Sequence, residues 1–293
     1  MATAAQWVEG ARPRTLPAAV APVLAGTGVA AHVGQARWGI AALALVVSVS
    51  LQVGVNYAND YSDGVRGTDR DRVGPLRLVG SGAASARSVK LAAFGAFAVA
   101  AVVGLLVAFV TSWWLVVVGL LCILAAWFYT GGPSPYGYHS LGEVMVFVFF
   151  GLVAVMGTTY VQTESLAADV LLPSLYAAVG VGVLACAILV ANNLRDIPSD
   201  RLADKRTLAV VLGEDRTRFL FTLLVAAAAV ALVALALATT RWALLGLAYL
   251  LPAVPAVRVV LRRTAGAELV PVLAATGLAE LVYAMGIFIG LIV

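Results

Sequence analysis

The chain has 293 residues, of which 62% are hydrophobic and only 12% are charged. Soluble domains typically contain about 45–50% apolar and about 25% charged residues, so this composition excludes an ordinary soluble protein and indicates a membrane protein with several spans. The formal net charge of +4 requires no nucleic-acid partner, because loop arginines that set membrane orientation account for it.

The predicted elements are apolar helices. An α-helix needs about 20 apolar residues to cross a bilayer. Segments of this kind cover most of the sequence and leave no room for a separate soluble domain, which predicts one all-α bundle over residues 1–293. The expected spans, in chain order, are 15–32, 38–57, 89–109, 113–129, 143–162, 171–192, 219–238, 242–260 and 269–293.

The first predicted span follows Arg12 and Arg14, a pattern also found at signal peptides. Eight further spans favour an uncleaved first helix instead. Cys122 and Cys186 lie within apolar spans, which predicts two buried thiols and no disulfide.

The distribution of lysine and arginine predicts the orientation of these spans. With the N-terminus in the cytoplasm, 17 of these residues fall on the cytoplasmic side and only Arg37 and Arg241 fall on the other. Cytoplasmic loops carry the excess of positive charge in membrane proteins. We therefore expect a cytoplasmic N-terminus and a C-terminus on the opposite side.

Acidic residues are concentrated at the ends of two spans. Asn56, Asp60 and Asp63 lie at the end of the second span, at spacings that place them on one helix face. Three residues with the same character end the sixth span, namely Asn192, Asp196 and Asp200. The similarity predicts two loosely related halves, about 1–130 and 131–293.

Carboxylates at these spacings repel one another unless a cation lies between them. Oxygen ligands without nearby cysteine or histidine favour Mg²⁺, which completes its shell with water and phosphate oxygens. Basic residues accompany both clusters and suit a metal-bound polyanion such as a diphosphate. The basic residues are Arg66, Arg70, Arg72 and Arg77 in the first loop and Arg195, Arg201, Lys205 and Arg206 in the second. The alternative is that the acidic and basic residues of these loops are merely solvated.

At these residues the sequence resembles the UbiA-type intramembrane prenyltransferases, and within them most of all the 1,4-dihydroxy-2-naphthoate polyprenyltransferases of menaquinone biosynthesis. A departure from the wider superfamily is Gly67, where an aspartate is common; the acid here is Asp69. The resemblance is carried by six motifs in order: ARPRTLP (11–17), NDYSDGVRGTD (59–69), RVGPLR (72–77), YTGGPSPYGYHSLGE (129–143), NNLRD (192–196) and DKRTLA (204–209).

The resemblance implies a Mg²⁺-dependent enzyme of a bacterial inner membrane, with its active site facing the cytoplasm. It would transfer a polyprenyl group from polyprenyl diphosphate to 1,4-dihydroxy-2-naphthoate, with loss of CO₂. Asp60, Asp63, Asp196 and Asp200 would be the catalytic residues and, with Asn59, the metal ligands. The diphosphate would bind Asn59, Arg72, Arg77, Lys205, Asn192 and Asn193.

Contacts to the aromatic acceptor are expected from Arg12, Tyr138 and His139, with His139 as a proton acceptor. Aromatic rings at Tyr57, Tyr61, Phe147, Phe149 and Phe150 are candidates to stabilise an allylic cation, with plain packing as the alternative. The uncharged loop between the fourth and fifth spans is expected to cap the site. A sister prenyltransferase using 4-hydroxybenzoate or a similar acceptor is the nearest alternative function, and a cation or lipid transporter is a more distant one.

Overall fold

The computed structural model describes residues 2–67 and 76–293, and in these ranges the regular elements are helical. The prediction for Arg72 lies outside the described residues. The α-helices are α1 (Ala4–Gly10), α2 (Pro17–His32), α3 (Trp38–Arg66), α4 (Ala86–Val110), α5 (Leu115–Phe128), α6 (Gly142–Val146), α7 (Gly157–Thr163), α8 (Ala168–Leu202), α9 (Leu208–Leu212), α10 (Glu214–Ala238), α11 (Leu250–Leu261) and α12 (Val270–Ile292). Short 3₁₀-helices cover Pro13–Thr15, Tyr136–Tyr138, Arg241–Tyr249 and Gly266–Leu269, and a π-helix covers Phe147–Met156.

Seven helices in the described ranges are long and apolar enough to cross a membrane, or eight if the bent pair Ala4–Thr15 and Pro17–His32 forms one span. The helix α5 is also apolar but has only 14 residues. The all-α, multi-pass architecture is therefore confirmed. The count of nine spans and the orientation of the termini stay predictions.

The helix α8 is the centre of the bundle. Its apolar window is 72% buried, far more than that of any other candidate span in the described ranges. Small residues allow this packing: a Cβ on Gly182 would lie 3.0 Å from the Cα of Gly151 on the π-helix, so the two backbones touch. Such small-residue contacts are typical of helices packed in membranes. The main core lies between α8 and the helices α2, α10 and α12.

The π-helix Phe147–Met156 joins α6 to α7 without a break, so the three form one continuous rod. A π-helix of ten residues is unusual, since most are single turns, often at functional sites. One face of this rod packs on α8 and another faces an internal cavity.

Both acidic clusters lie at helix ends, as predicted. The helix α3 ends directly after the first cluster at Gly67, whose φ of 75° is the left-handed conformation that closes many helices. The helix α8 ends two residues after Asp200. Thr207 then caps α9 by accepting a hydrogen bond from the backbone of Val210, so the chain turns back beside the cluster.

Candidate active site

A polar cavity of about 170 Å³ lies between the ends of α3 and α8. Asn59 and Asp63 of the first acidic cluster and Asn192 of the second therefore border the same space. The N-terminal segment and the loop after α5 complete the wall. Its polar lining residues are Arg12, Thr15, Gln52, Asn59, Asp63, Arg77, Tyr129, Thr130, Asn192, Asn193 and Lys205.

A second, apolar cavity of about 330 Å³ continues from the first into the bundle. It runs along α3 from Asn59 to Ala44, which is about 22 Å at 1.5 Å per residue. The residues common to both cavities are Gln52, Asn59, Tyr129, Val146 and Phe150. The combined space is thus charged at one end and apolar over the rest.

In the first cluster the three predicted ligands have different surroundings. Asn59 and Asp63 line the polar cavity. The Asn59 carbonyl oxygen accepts a hydrogen bond from the Thr130 hydroxyl at 2.7 Å. Asp60 is fully buried, and its two oxygens accept from the backbone N–H groups of Leu78 and Val79 at 2.8 and 2.9 Å. Asp60 is therefore bound to the backbone of residues 78–79.

The helix face that meets the cavities differs from the predicted stripe. The sequence spacing placed Asn56, Asp60 and Asp63 on one face, whereas the residues of α3 that line the cavities are Gln52, Asn56, Asn59 and Asp63. These four also follow a three-to-four spacing. Asn56 and Asp63 of the predicted stripe therefore line the cavities, whereas the Asp60 carboxylate is bound by the backbone of residues 78–79.

In the second cluster, Asp196 forms a buried ion pair with its neighbour Arg195. The guanidinium Nε and Nη2 donate to the two carboxylate oxygens at 2.7 and 2.8 Å. The same Nη2 donates to the side-chain oxygen Oδ1 of Asn192 at 2.9 Å. Asn192 lines the cavity, whereas Asp196 is not among the lining residues. Arg195 therefore links Asp196 to the cavity wall.

Asp200 is paired with a lysine of the following loop. Lys205 Nζ lies 3.9 Å from Asp200 Oδ1, and the Thr207 hydroxyl donates to Oδ2 at 3.4 Å. Lys205 lines the polar cavity and Asp200 does not. The lysine thus brings a positive charge to the place where the resemblance expects a diphosphate.

The loop between α5 and α6 closes over both clusters. The Tyr138 hydroxyl donates to Asp63 at 2.9 Å, and Lys205 Nζ lies 5.0 Å from the centre of the same ring. Arg66 donates to the carbonyls of Thr130 and Gly132 and lies over Tyr138. A backbone bridge joins His139 to Arg206. This arrangement agrees with the expected capping role.

The candidates for the aromatic acceptor are separated by the structure. Arg12 lines the polar cavity, and its Nη2 lies 3.5 Å from the backbone oxygen of Asn56. Arg14 and His139 are exposed and line neither cavity. His139 Nε2 lies 2.9 Å from the hydroxyl of Ser134. Of the arginines in ARPRTLP, the structure thus places only Arg12 at the site.

The aromatic candidates divide in the same way. Phe149 and Phe150 line the apolar cavity, whereas Phe147 packs on Gly182. Tyr57 donates to the backbone of Trp7, and Tyr61 stacks on Trp127 with a centroid separation of 6.1 Å. Only the two phenylalanines therefore face the space that a prenyl chain can enter.

Sequence reasoning missed several polar residues of the site. Gln52 and Tyr129 lie at the junction of the two cavities, and Glu143 accepts a hydrogen bond from Asn193. Tyr136 borders the apolar cavity; burial raises the pKa of its phenol, which stays protonated and donates to the Ala125 carbonyl at 2.8 Å. Of these residues, Glu143 could have been noticed in the sequence, because it is an acidic residue at the start of an apolar helix.

The side chains at the polar cavity suit a hard cation bound together with an anion. Within residues 2–67 and 76–293, no group of three or more His, Cys, Asp or Glu side chains is close enough to enclose an ion. Magnesium is typically held by one or two carboxylates together with waters and substrate phosphates. An open set of carboxylate and amide oxygens beside Lys205 and Arg77 fits that mode of binding.

A family model described as the UbiA prenyltransferase family matches residues 19–279, and the chain belongs to this family. The chain is 55% identical over 287 residues to the 1,4-dihydroxy-2-naphthoate octaprenyltransferase of Mycobacterium tuberculosis, covering 98% of this chain and 97% of that protein. It is 42% identical over 219 residues to the Escherichia coli enzyme of the same name, covering 72% and 70%.

Solved structures agree in fold. A UbiA homolog from Archaeoglobus fulgidus bound to DMAPP and Mg²⁺ superposes with a TM-score of 0.64 over 98% of this chain and 99% of that one, at 15% identity. The apo structure of a UbiA homolog from Aeropyrum pernix gives 0.73 over 93% and 97%, also at 15% identity. The expectation of a UbiA-type fold is therefore confirmed.

Proposed function

We propose that the protein transfers a polyprenyl group from polyprenyl diphosphate to 1,4-dihydroxy-2-naphthoate and yields demethylmenaquinol, CO₂ and diphosphate. The observation that carries this proposal is the junction of a charged cavity with a long apolar one. A polyprenyl diphosphate has the same division into a charged head and an apolar tail. The names of relatives at 42–55% identity support the naphthoate as the acceptor.

The diphosphate binds in the polar cavity. Lys205 and Arg77 supply positive charge there, and the amide of Asn192 supplies a hydrogen-bond donor. Arg72 joins this set by resemblance to the family. These groups lie where the polar cavity meets the apolar interior, so the local dielectric constant is lower than in water. They therefore stabilise the departing anion more strongly than the same groups would in water.

Asn59, Asp60, Asp63, Asp196 and Asp200 would hold magnesium through their side-chain oxygens. The ion supplies positive charge that stabilises the leaving diphosphate. Asp63 is the best placed of these residues, because it lines the cavity directly. Asp60 and Asp196 are engaged with backbone amides and with Arg195, respectively.

The prenyl tail lies in the apolar cavity, where Phe149 and Phe150 face it. Moving a polyprenyl chain into water costs about 0.8 kcal/mol per CH₂, so the transfer takes place where the tail stays in an apolar medium. The cavity also keeps water from the allylic carbon as its bond to the diphosphate oxygen breaks. That carbon forms a new bond to the ring, and the ring carboxylate is lost as CO₂.

The acceptor binds beside Arg12, whose guanidinium contacts the ring carboxylate, and Tyr138 contributes through its contact with Asp63. The positive-inside count supports a cytoplasmic location for this end of the bundle, at a bacterial inner membrane. Water-soluble naphthoate then reaches the site from the cytoplasm, while the lipid substrate reaches it from the bilayer.

The test is an assay of the purified protein in lipid with Mg²⁺, 1,4-dihydroxy-2-naphthoate and a polyprenyl diphosphate. We expect a prenylated, decarboxylated quinol by mass spectrometry, lost on addition of EDTA and in Asp63→Ala and Asp196→Ala. Turnover with 4-hydroxybenzoate in place of the naphthoate would contradict the acceptor. Full turnover in both variants would contradict the assigned metal site.

A further inference from the structure

Asn192 and Asn193 are adjacent on α8 and both line the polar cavity, yet their side-chain amides are held in opposite directions. An amide offers a donor at one end and an acceptor at the other. The neighbour that holds each amide therefore decides which end is presented to a ligand.

Asn192 is held by its oxygen. The Arg195 guanidinium donates to Asn192 Oδ1 at 2.9 Å, and a guanidinium has donors only. The NH₂ group of Asn192 is therefore turned away from Arg195 and is the end presented to the cavity. A donor at this position suits an anionic oxygen of a diphosphate.

Asn193 is held by its nitrogen. Its Nδ2 donates to Glu143 Oε1 at 3.0 Å, and the carboxylate is an acceptor. The carbonyl oxygen of Asn193 is therefore turned away from Glu143. That oxygen is unsuited to a diphosphate, which has no donor, and suits an O–H group instead.

Glu143 has no other evident task. It is 8% exposed, and its second carboxylate oxygen has no hydrogen-bond partner among the described residues. The Cys186 thiol donates to its backbone oxygen at 3.1 Å, which fixes the start of the helix against α8. A buried acid at the head of an apolar helix is costly, so its retention calls for a role.

We propose that Glu143 is a positioning residue that holds Asn193 with its carbonyl oxygen toward the cavity, where it accepts a hydrogen bond from a ring hydroxyl of the aromatic acceptor. This inference rests on the proposed function and adds to it the group that recognises the hydroxyl. A water bound to a metal ion offers the same O–H chemistry, and the experiment separates the two sources.

The primary test is Glu143→Met, which nearly keeps the side-chain volume and removes the oxygen that accepts from Asn193 Nδ2. Nothing then holds the asparagine amide with its carbonyl oxygen toward the cavity. We expect the KM for 1,4-dihydroxy-2-naphthoate to rise about tenfold, the size of one hydrogen bond. The KM for polyprenyl diphosphate and the half-saturating Mg²⁺ concentration stay unchanged.

Rescue distinguishes positioning from a merely structural role. In the double variant Glu143→Gln, Asn193→Asp, the new carboxylate accepts from the glutamine NH₂ and still presents an oxygen to the cavity. The KM for the naphthoate should return toward that of the wild type. A structural role predicts no rescue and a parallel rise in the KM for both substrates.

Asn192→Asp is the matched control on the neighbouring residue. It replaces a donor by an acceptor beside the anion, so it should raise the KM for polyprenyl diphosphate and leave that for the naphthoate unchanged. If Glu143→Met does not fold, Asn193→Leu must show the change in the KM for the naphthoate.

A changed Mg²⁺ requirement with an unaltered KM for the naphthoate would overturn the proposal in favour of a metal-bound water. No change in either KM or in the Mg²⁺ requirement would overturn it altogether. Failure of the wild type to use the naphthoate would instead contradict the proposed function itself.

Discussion

The hydroxyl of Tyr138 donates a hydrogen bond to Asp63 Oδ1 at 2.9 Å. The ring of the same tyrosine lies 5.0 Å from Lys205 Nζ, and this lysine lies 3.9 Å from Asp200. One phenol on the loop after α5 therefore connects the first acidic cluster to the second. The loop is part of the site, because it orients a carboxylate that we assign to the metal.

Tyr138→Phe should lower kcat/KM about tenfold or more while keeping the protein folded. The change removes a hydrogen bond to a charged group, worth about 1.5–3 kcal/mol, and retains the ring beside Lys205. Steady-state kinetics at several Mg²⁺ concentrations provide the measurement. Tyr160→Phe is the control, because its hydroxyl bonds Trp114 away from the site; equal losses in the two variants would contradict the role of Tyr138.

Asp60→Asn and Asp63→Asn should differ in kind. Asp60 accepts from two backbone N–H groups with its two oxygens, and an asparagine can accept from only one of them. A buried unsatisfied donor costs about 1–3 kcal/mol, so Asp60→Asn should lower the melting temperature. Asp63→Asn should leave the melting temperature unchanged and abolish the response of activity to Mg²⁺.

Thermal unfolding in detergent, with and without Mg²⁺, separates these two outcomes. If Asp63→Asn destabilises the protein as much as Asp60→Asn does, the bonds of Asp60 to the backbone of residues 78–79 do not distinguish the two aspartates.

Arg195→Met should destabilise the metal-free protein strongly and the Mg²⁺-loaded protein less. The substitution removes both hydrogen bonds that the Arg195 guanidinium donates to the buried Asp196 carboxylate, and removing one partner of a buried ion pair typically costs about 3–5 kcal/mol. A metal ion bound at that carboxylate would restore part of the loss. We therefore expect added Mg²⁺ to raise the melting temperature of the variant more than that of the wild type.

Arg37→Met is the matched control, because the Arg37–Glu164 pair is about half exposed and such pairs contribute about 0–1 kcal/mol. A loss in Arg195→Met that Mg²⁺ does not relieve would contradict the assignment of Asp196 to the metal.

Much of this architecture could be predicted from the sequence because its signals are local. Apolar length predicts spans, and acids at span ends predicted that α3 and α8 close one site. The fourth predicted span is a 14-residue helix, α5, because Trp113 and Trp114 lie in a turn before it. Apolarity alone does not show where a helix starts.

The roles within the clusters were less predictable because they depend on partners distant in sequence. The spacing of Asn56, Asp60 and Asp63 gives one helix face, but the backbone of Leu78 and Val79 draws Asp60 out of the cavity. Glu143 was visible in the sequence only as part of a motif. Its contact with Asn193 requires the close packing of the π-helix rod on α8, which no local pattern encodes.

The apolar cavity predicts how the enzyme distinguishes prenyl chains by length. Gly104 on α4 lines this cavity about 27 Å along the helix from its start, and a Cβ added there meets nothing within 4 Å. Gly104→Phe should therefore fill the far end of the cavity. We expect kcat/KM for an eight-unit polyprenyl diphosphate to fall about tenfold, in line with the cost of about 1–3 kcal/mol that is typical of overpacking. The kcat/KM for geranyl diphosphate should stay unchanged, because its shorter tail does not reach Gly104.

Gly95→Phe on the same helix is the control, since Gly95 also has open space but does not line the cavity. Equal effects of both variants on both substrates would show that the tail takes another path.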